Sequence, residues 1–148
     1  MGAIDSVALR IFVYDDIIAA GRPPSVAAIA MRFGTSPAIA REALANLKIG
    51  KTILVDPRSG EIWMAGPFAV AETAYRVVGE KREWWANCAW DMFGVAMIVN
   101  ERVRVETRCT DCGAPMTILT DPSTAPTEDA VVHFLVPARR WYDDIGFT

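Results

Sequence analysis

The chain has 148 residues, 52% of them hydrophobic, and a formal net charge of −3. That length supports a sizeable core, either as one domain or as a small domain leaning on a larger one, and the hydrophobic share excludes a disordered chain. The acidic balance argues against a broad nucleic-acid surface, no apolar run approaches the about 20 residues of a membrane span, and Met1-Gly2-Ala3-Ile4-Asp5 lacks the basic and apolar regions of an export signal.

Asp5 to Ala20 reads as a helix, since Val7, Ala8, Ile11, Val13, Tyr14 and Ile18 mostly follow a helical stripe and Gly21 ends it. Arg22-Pro23-Pro24 is a stiff connector. Ser25 caps a short second helix, Val26 to Phe33, stopped by Gly34. Ser36-Pro37 opens a third helix, running to about Ile49 before Gly50. Two strands follow, Thr52 to Asp56 and Glu61 to Met64, joined by the tight turn Pro57-Arg58-Ser59-Gly60. Three helices and a hairpin make a winged-helix plan over residues 1–66, with a domain boundary at Gly66-Pro67. The third helix offers Arg41, Glu42, Asn46 and Lys48, with Lys51 and Arg58 nearby. That is a thin supply of phosphate contacts, which favours a structural or interaction role over DNA binding.

Residues 67–148 read as a small mixed or antiparallel sheet with a central helix, making the whole chain α+β. Ala71 to Gly79 is strand-like, and Glu80-Lys81-Arg82-Glu83 is a charged turn. The central helix is expected from Arg82 to about Phe93, with Val95 to Val99 extending it or starting a strand. Arg102 to Thr107 and Met116 to Leu119 read as strands around the turn Cys109 to Pro115. After a polar loop, Asp121 to Asp129, the clearest strand signal is Val131 to Val136, followed by a helical turn over Arg139 to Asp144. The apolar end, Ile145 to Thr148, looks interrupted or unusually short.

Candidate chemistry centres on Trp84 to Asp91. On a helix, Cys88 and Asp91 share a face about 5–6 Å apart at Cβ. A buried free cysteine is ordinarily a small hydrophobe, but an acid in that apolar surrounding requires a partner or a reaction. Trp84, Trp85 and Trp90 read as core packing that would also shield a thiol from water. The cysteines Cys88, Cys109 and Cys112 are odd in number, consistent with reduced cytoplasmic thiols used for metal or catalysis. Cys109 and Cys112 form a single Cys-x-x-Cys, and a zinc site would have to recruit Cys88 and the lone His133. A thioredoxin-type pair lacks its strand-then-helix frame.

Three stretches together resemble the organomercurial (alkylmercury) lyases. These are Glu72-Thr73-Ala74-Tyr75-Arg76-Val77, then Trp85-Ala86-Asn87-Cys88-Ala89-Trp90-Asp91, then Arg108-Cys109 with Gly113-Ala114-Pro115. The helical first half is similar to that family's amino-terminal winged-helix-like domain. The resemblance implies protonolysis of a carbon–mercury bond without an organic cofactor. Cys88 matches the thiolate that binds mercury, Asp91 the catalytic acid, and Cys109 a cysteine regarded as structural. The implied partners are an organomercurial substrate, the Hg(II) product and small cellular thiols that remove it, in the cytoplasm and away from membranes. The family's second catalytic cysteine lies beyond the segment matching Arg139 to Phe147, and the sequence stops at Thr148 without one, so impaired or incomplete chemistry is expected. The alternative is a non-catalytic winged-helix regulator or metal-binding module using Cys88, Cys109 and Cys112.

Overall fold

The computed structural model describes residues 3–47, 52–124 and 129–146. Three helices lead: α1 (Ser6–Ala20), α2 (Val26–Arg32) and α3 (Pro37–Leu47). Their ends follow local chemistry. Asp5 accepts from the Ala8 N–H at 2.8 Å and Ser25 from the Ala28 N–H at 3.2 Å, each satisfying a donor that the first helical turn leaves free. Gly21, at φ 76°, closes α1 in the left-handed conformation that glycine adopts without a Cβ penalty. The expected continuation of the third helix through Lys48 and Ile49, and the residues Gly50 and Lys51, lie outside the described residues.

The strands are β1 (Ile53–Val55), β2 (Ile62–Ala65), β3 (Phe68–Ala69), β4 (Arg76–Val78), β5 (Glu83–Ala86), β6 (Val103–Arg108) and β7 (Pro115–Thr120), with α4 (Asp91–Val99) between β5 and β6. Among the described residues they form one antiparallel sheet in the order β1-β2-β3-β5-β4-β6-β7. The α+β class is as expected from the sequence. The sheet runs through Gly66-Pro67, a cis peptide, and one core joins Leu9, Val13 and Ile29 of the helices to Val77, Val95 and Val105 of the second half.

Three expectations are corrected. Arg82 to Phe93 is not one helix: Glu83–Ala86 is a central strand and the helix starts at Asp91. The aromatic and small residues of 83–86 alternate between faces, Trp84 and Ala86 buried and Trp85 half-buried, and both flanking strands supply hydrogen-bond partners, which a helix there would leave unpaired. Residues 131–136 form no strand, because neither sheet edge pairs with them; Val131 is 91% and Leu135 81% exposed. Trp90 is not core, being 61% exposed at the turn into α4. The expected strand over Ala71 to Gly79 is reduced to Arg76–Val78, and Ala138–Asp143 forms the short helical turn as a 3-10 segment.

Trp84 ties the helices to the sheet. It is 4% exposed, and its indole N–H donates to the Ile17 carbonyl at 2.9 Å, across 67 residues of sequence. Trp84→Ala should cost about 3–5 kcal/mol, the usual range for emptying a buried aromatic site. Urea unfolding at neutral pH checks this; a loss under about 1 kcal/mol would mean that the two layers do not depend on the indole.

Candidate active site

The end of β5 is held from both sides. The Ala86 N–H donates to the Tyr75 carbonyl at 3.0 Å, while its own carbonyl accepts the Thr73 hydroxyl at 2.6 Å. One residue on, the Asn87 N–H donates to the Pro67 carbonyl at 3.1 Å. Cys88 to Trp90 then turn, and the Met92 N–H reaches back to the Cys88 carbonyl at 3.3 Å as α4 begins. Cys88 therefore precedes the first turn of α4 and Asp91 opens it, so a three-residue spacing brings thiol and acid together in a turn much as it would on a helix. Gly94 seats α4 against Pro67, where a Cβ would stand 3.2 Å from the proline ring.

Cys88 and Asp91 stand close enough for each to shift the other's titration, and the Asn87 side chain acts on Asp91 as well. Burial disfavours the charged form and raises the Asp91 carboxyl above the usual carboxylate range; the bonds from Cys88 and Asn87 pull it partly back. Burial also pushes the Cys88 thiol up. The Asp91 N–H draws it down, the Asp91 carboxylate adds to the rise, and the Trp90 N–H opposes it. Two phenols border the pair: Tyr14, whose hydroxyl donates to the Gly66 carbonyl at 2.6 Å, feels the charge of Asp91, and Tyr75 that of Cys88. Thiol and carboxyl thus share a poorly solvated place in which burial disfavours charge on either.

Both groups open into a cavity of about 430 Å³. Its aromatic walls come from distant segments: Trp63 on β2, Trp90 beside the site, and Phe134, Trp141 and Tyr142 from the chain after the polar loop. That last segment is braced by the Trp141 indole N–H donating to the Val136 carbonyl at 2.8 Å, and by ring contact between Phe134 and Trp141 at 5.1 Å. Gly146 closes against Trp63, where a Cβ would stand 3.2 Å from the ring. Of the tryptophans expected to shield the thiol, only Trp90 lines the cavity; Trp84 is core and Trp85 faces elsewhere. Sequence reading missed Trp63, Trp141 and Asn87. Asn87 had a signal, an amide set beside a thiol in an aromatic run, and its Oδ1 is buried without a hydrogen-bond partner among the described residues.

Cys109 and Cys112 lie elsewhere. Cys109 follows β6 and lines a second cavity of about 370 Å³ with Phe93, Met116 and His133. Hydrogen bonds from the Cys112 and Asp111 N–H groups and from the Cys112 thiol lower the Cys109 thiol below the ordinary range. Cys88 belongs to the first cavity, and among the described residues no three of His, Cys, Asp or Glu gather as metal ligands. The expected joint set of Cys88, Cys109 and Cys112, with or without His133, is therefore not assembled: the strand at 83–86 points Cys88 toward β2 and β3, away from the β6–β7 turn. His133 is exposed rather than strand-embedded. No described helix is long and apolar enough to cross a membrane.

The family model described as alkylmercury lyase matches residues 68–147. Among solved structures, the chain is similar to the crystal structure of the mercury-bound form of MerB2, with a TM-score of 0.64 at 17% identity over 84% of this chain and 60% of that one. At that identity the likeness is one of fold, and the chain spans about 60% of that relative's length. A search of curated proteins finds no match.

The electrical coupling of the pair is measurable. In a Cys109→Ser/Cys112→Ser background, the pH dependence of Cys88 alkylation should have its midpoint above the about 8.5 of a free thiol. Asp91→Asn should move that midpoint down, because it removes the carboxylate charge, yet leave it elevated, because burial is the larger cause. An unmoved midpoint would mean that Asp91 does not act on the thiol.

Proposed function

The chain belongs to the alkylmercury lyase family, and from that premise we propose that it cleaves carbon–mercury bonds by protonolysis, with Cys88 as the mercury ligand and Asp91 as the acid. The observation carrying this reading is a thiol beside a half-buried carboxyl at the wall of an aromatic-lined cavity.

An organomercurial arrives as its thiol adduct, R–Hg–SR′. Cys88 Sγ bonds the mercury, a soft ion that prefers thiolate, and the thiol proton passes to the Asp91 carboxylate. Mercury then carries the carbon and two sulfurs. The added thiolate charge makes the carbon more basic, and Asp91 returns the proton to it. The electron pair of the C–Hg bond becomes the new C–H bond, leaving R–H, an ionised Asp91 and mercury held between Cys88 and SR′. A second R′SH replaces Cys88, giving Hg(SR′)₂ and restoring the thiol. Small thiols thus supply the second sulfur; Cys88 is the only thiol among the described residues lining this cavity.

The environment suits each step. Burial raises both titrating groups, so the pair retains its single proton at pH values where an exposed carboxyl has lost it. Asn87 orients the carboxylate through its side-chain bond. Trp63, Trp90 and Trp141 offer the organic group an apolar wall and limit the access of water. Tyr14 and Tyr75 hold the backbone and the ring packing on either side.

A single-turnover reaction with phenylmercury and excess small thiol, followed by benzene release, tests the reading. Cys88→Ser should abolish release. Asp91→Asn should retain mercury binding but slow release by about 10²–10⁴-fold, the usual scale of a lost general acid. Cys112→Ser should leave the rate unchanged. The rate should fall at high pH as the pair loses its last proton, on a limb above the ordinary carboxyl range. Release independent of Cys88 would overturn the assignment.

A further inference from the structure

The chemistry at Cys88 makes no use of the β6–β7 turn, yet that turn presents a built pair of thiols. Arg108 and Pro115 pair across its base, the Cys109 N–H donates to the Ala114 carbonyl at 2.9 Å, and the Gly113 N–H returns to the Cys109 carbonyl at 2.9 Å. Gly113, at φ 71°, takes the left-handed conformation that turns the chain back. Arg108 Nη1 adds a bond to the Gly113 carbonyl at 3.2 Å. Inside this loop Asp111 and Cys112 stand close enough to Cys109 for their N–H groups and the Cys112 thiol to hold the Cys109 thiol below the ordinary range. Cys112 is exposed and Cys109 half-buried, with no disulfide between them.

We propose that Cys109 and Cys112 form a second mercury(II) site, separate from Cys88, that holds the ion between their two sulfurs. The donor set selects the ion. Zinc requires four ligands, and among the described residues no third His, Cys, Asp or Glu joins the pair. A soft ion satisfied by two thiolates needs no more than the turn offers. The hydrogen-bonded turn holds the two cysteines three residues apart in one loop, and rotation of the exposed Cys112 side chain sets the second sulfur across the ion. Capture is an exchange without redox change: Hg(SR′)₂ and two cysteine thiols give the Cys109–Hg–Cys112 bridge and two R′SH. The fixed turn makes the second Hg–S bond intramolecular, so the pair outcompetes free monothiols. Tyr75 lines both the Cys88 cavity and the one that Cys109 borders.

The test uses the full reduced chain carrying Cys88→Ser, dialysed against mercury(II) in excess cysteine, with bound metal counted and the thiolate-to-mercury charge-transfer absorbance recorded. One mercury per chain is expected, and adding Cys112→Ser or Cys109→Ser should weaken retention by about 10²-fold or more, the scale of a lost linked contact. Urea midpoints of the variants should match, since the turn is exposed. Mercury retained equally after Cys112→Ser, no mercury on Cys88→Ser, or zinc held stoichiometrically by the turn would each overturn the proposal. The Cys88→Ser background makes the result independent of whether the chain cleaves phenylmercury.

Discussion

The site depends on one short strand being gripped from both sides. β5 pairs with β3 through Phe68↔Ala86 and Ala69↔Trp85, and with β4 through Arg76↔Trp85 and Val77↔Trp84. A strand with two partners cannot slip by one residue without exposing its buried face and losing both ladders. Trp84 adds a third restraint by bonding the helical layer, so β5 is fixed in register, height and depth. The turn that carries Cys88 and Asp91 is anchored at one end by this strand and at the other by α4. A thiol and a carboxyl can be kept in contact there without either belonging to a long element.

That rigidity permits an electrostatic arrangement that free side chains would abandon. Burial opposes charge on Asp91 and on Cys88 alike, and each charge would also oppose the other. The least costly state is one proton shared by the two, with backbone N–H groups and Asn87 available to whichever atom is ionised. On the proposed reading, a group that binds the sulfur displaces that proton onto the carboxyl, and the aromatic walls preserve the low polarity that raises both groups.

Local signals were legible in the sequence where local chemistry decides the outcome. The stop at Gly21, the cap at Ser25 and the Pro57-to-Gly60 turn between β1 and β2 all act within a few residues. Cys88 and Asp91 were legible as a pair although their element was misread, because a three-residue spacing makes contact in a helical turn and in the approach to one. The strand at 83–86 was hidden because its ladder partners lie at 68–69 and 76–78, and an aromatic run carries no mark of what it pairs with. The apolar, β-branched run at 131–136 misled for the opposite reason: strand-like composition without an available sheet edge leaves irregular chain. Trp63 and Trp141 reach the cavity only through the tertiary fold, so no local spacing announces them.

The two thiol environments differ by physics rather than by residue type. Cys88 is desolvated beside an acid, which suppresses its thiolate. Cys109 is half-buried beside the Cys112 and Asp111 N–H groups and the Cys112 thiol, which favour its thiolate. A thiol that ionises only on binding metal can hand a proton to a neighbour at that moment; one already favoured as thiolate has less proton to give but holds an ion more readily. Proton delivery requires the first kind of thiol and ion retention the second. The fold keeps Cys88 and Cys109 in separate cavities with Tyr75 on the wall of each, so the surroundings of one thiol can change without altering those of the other.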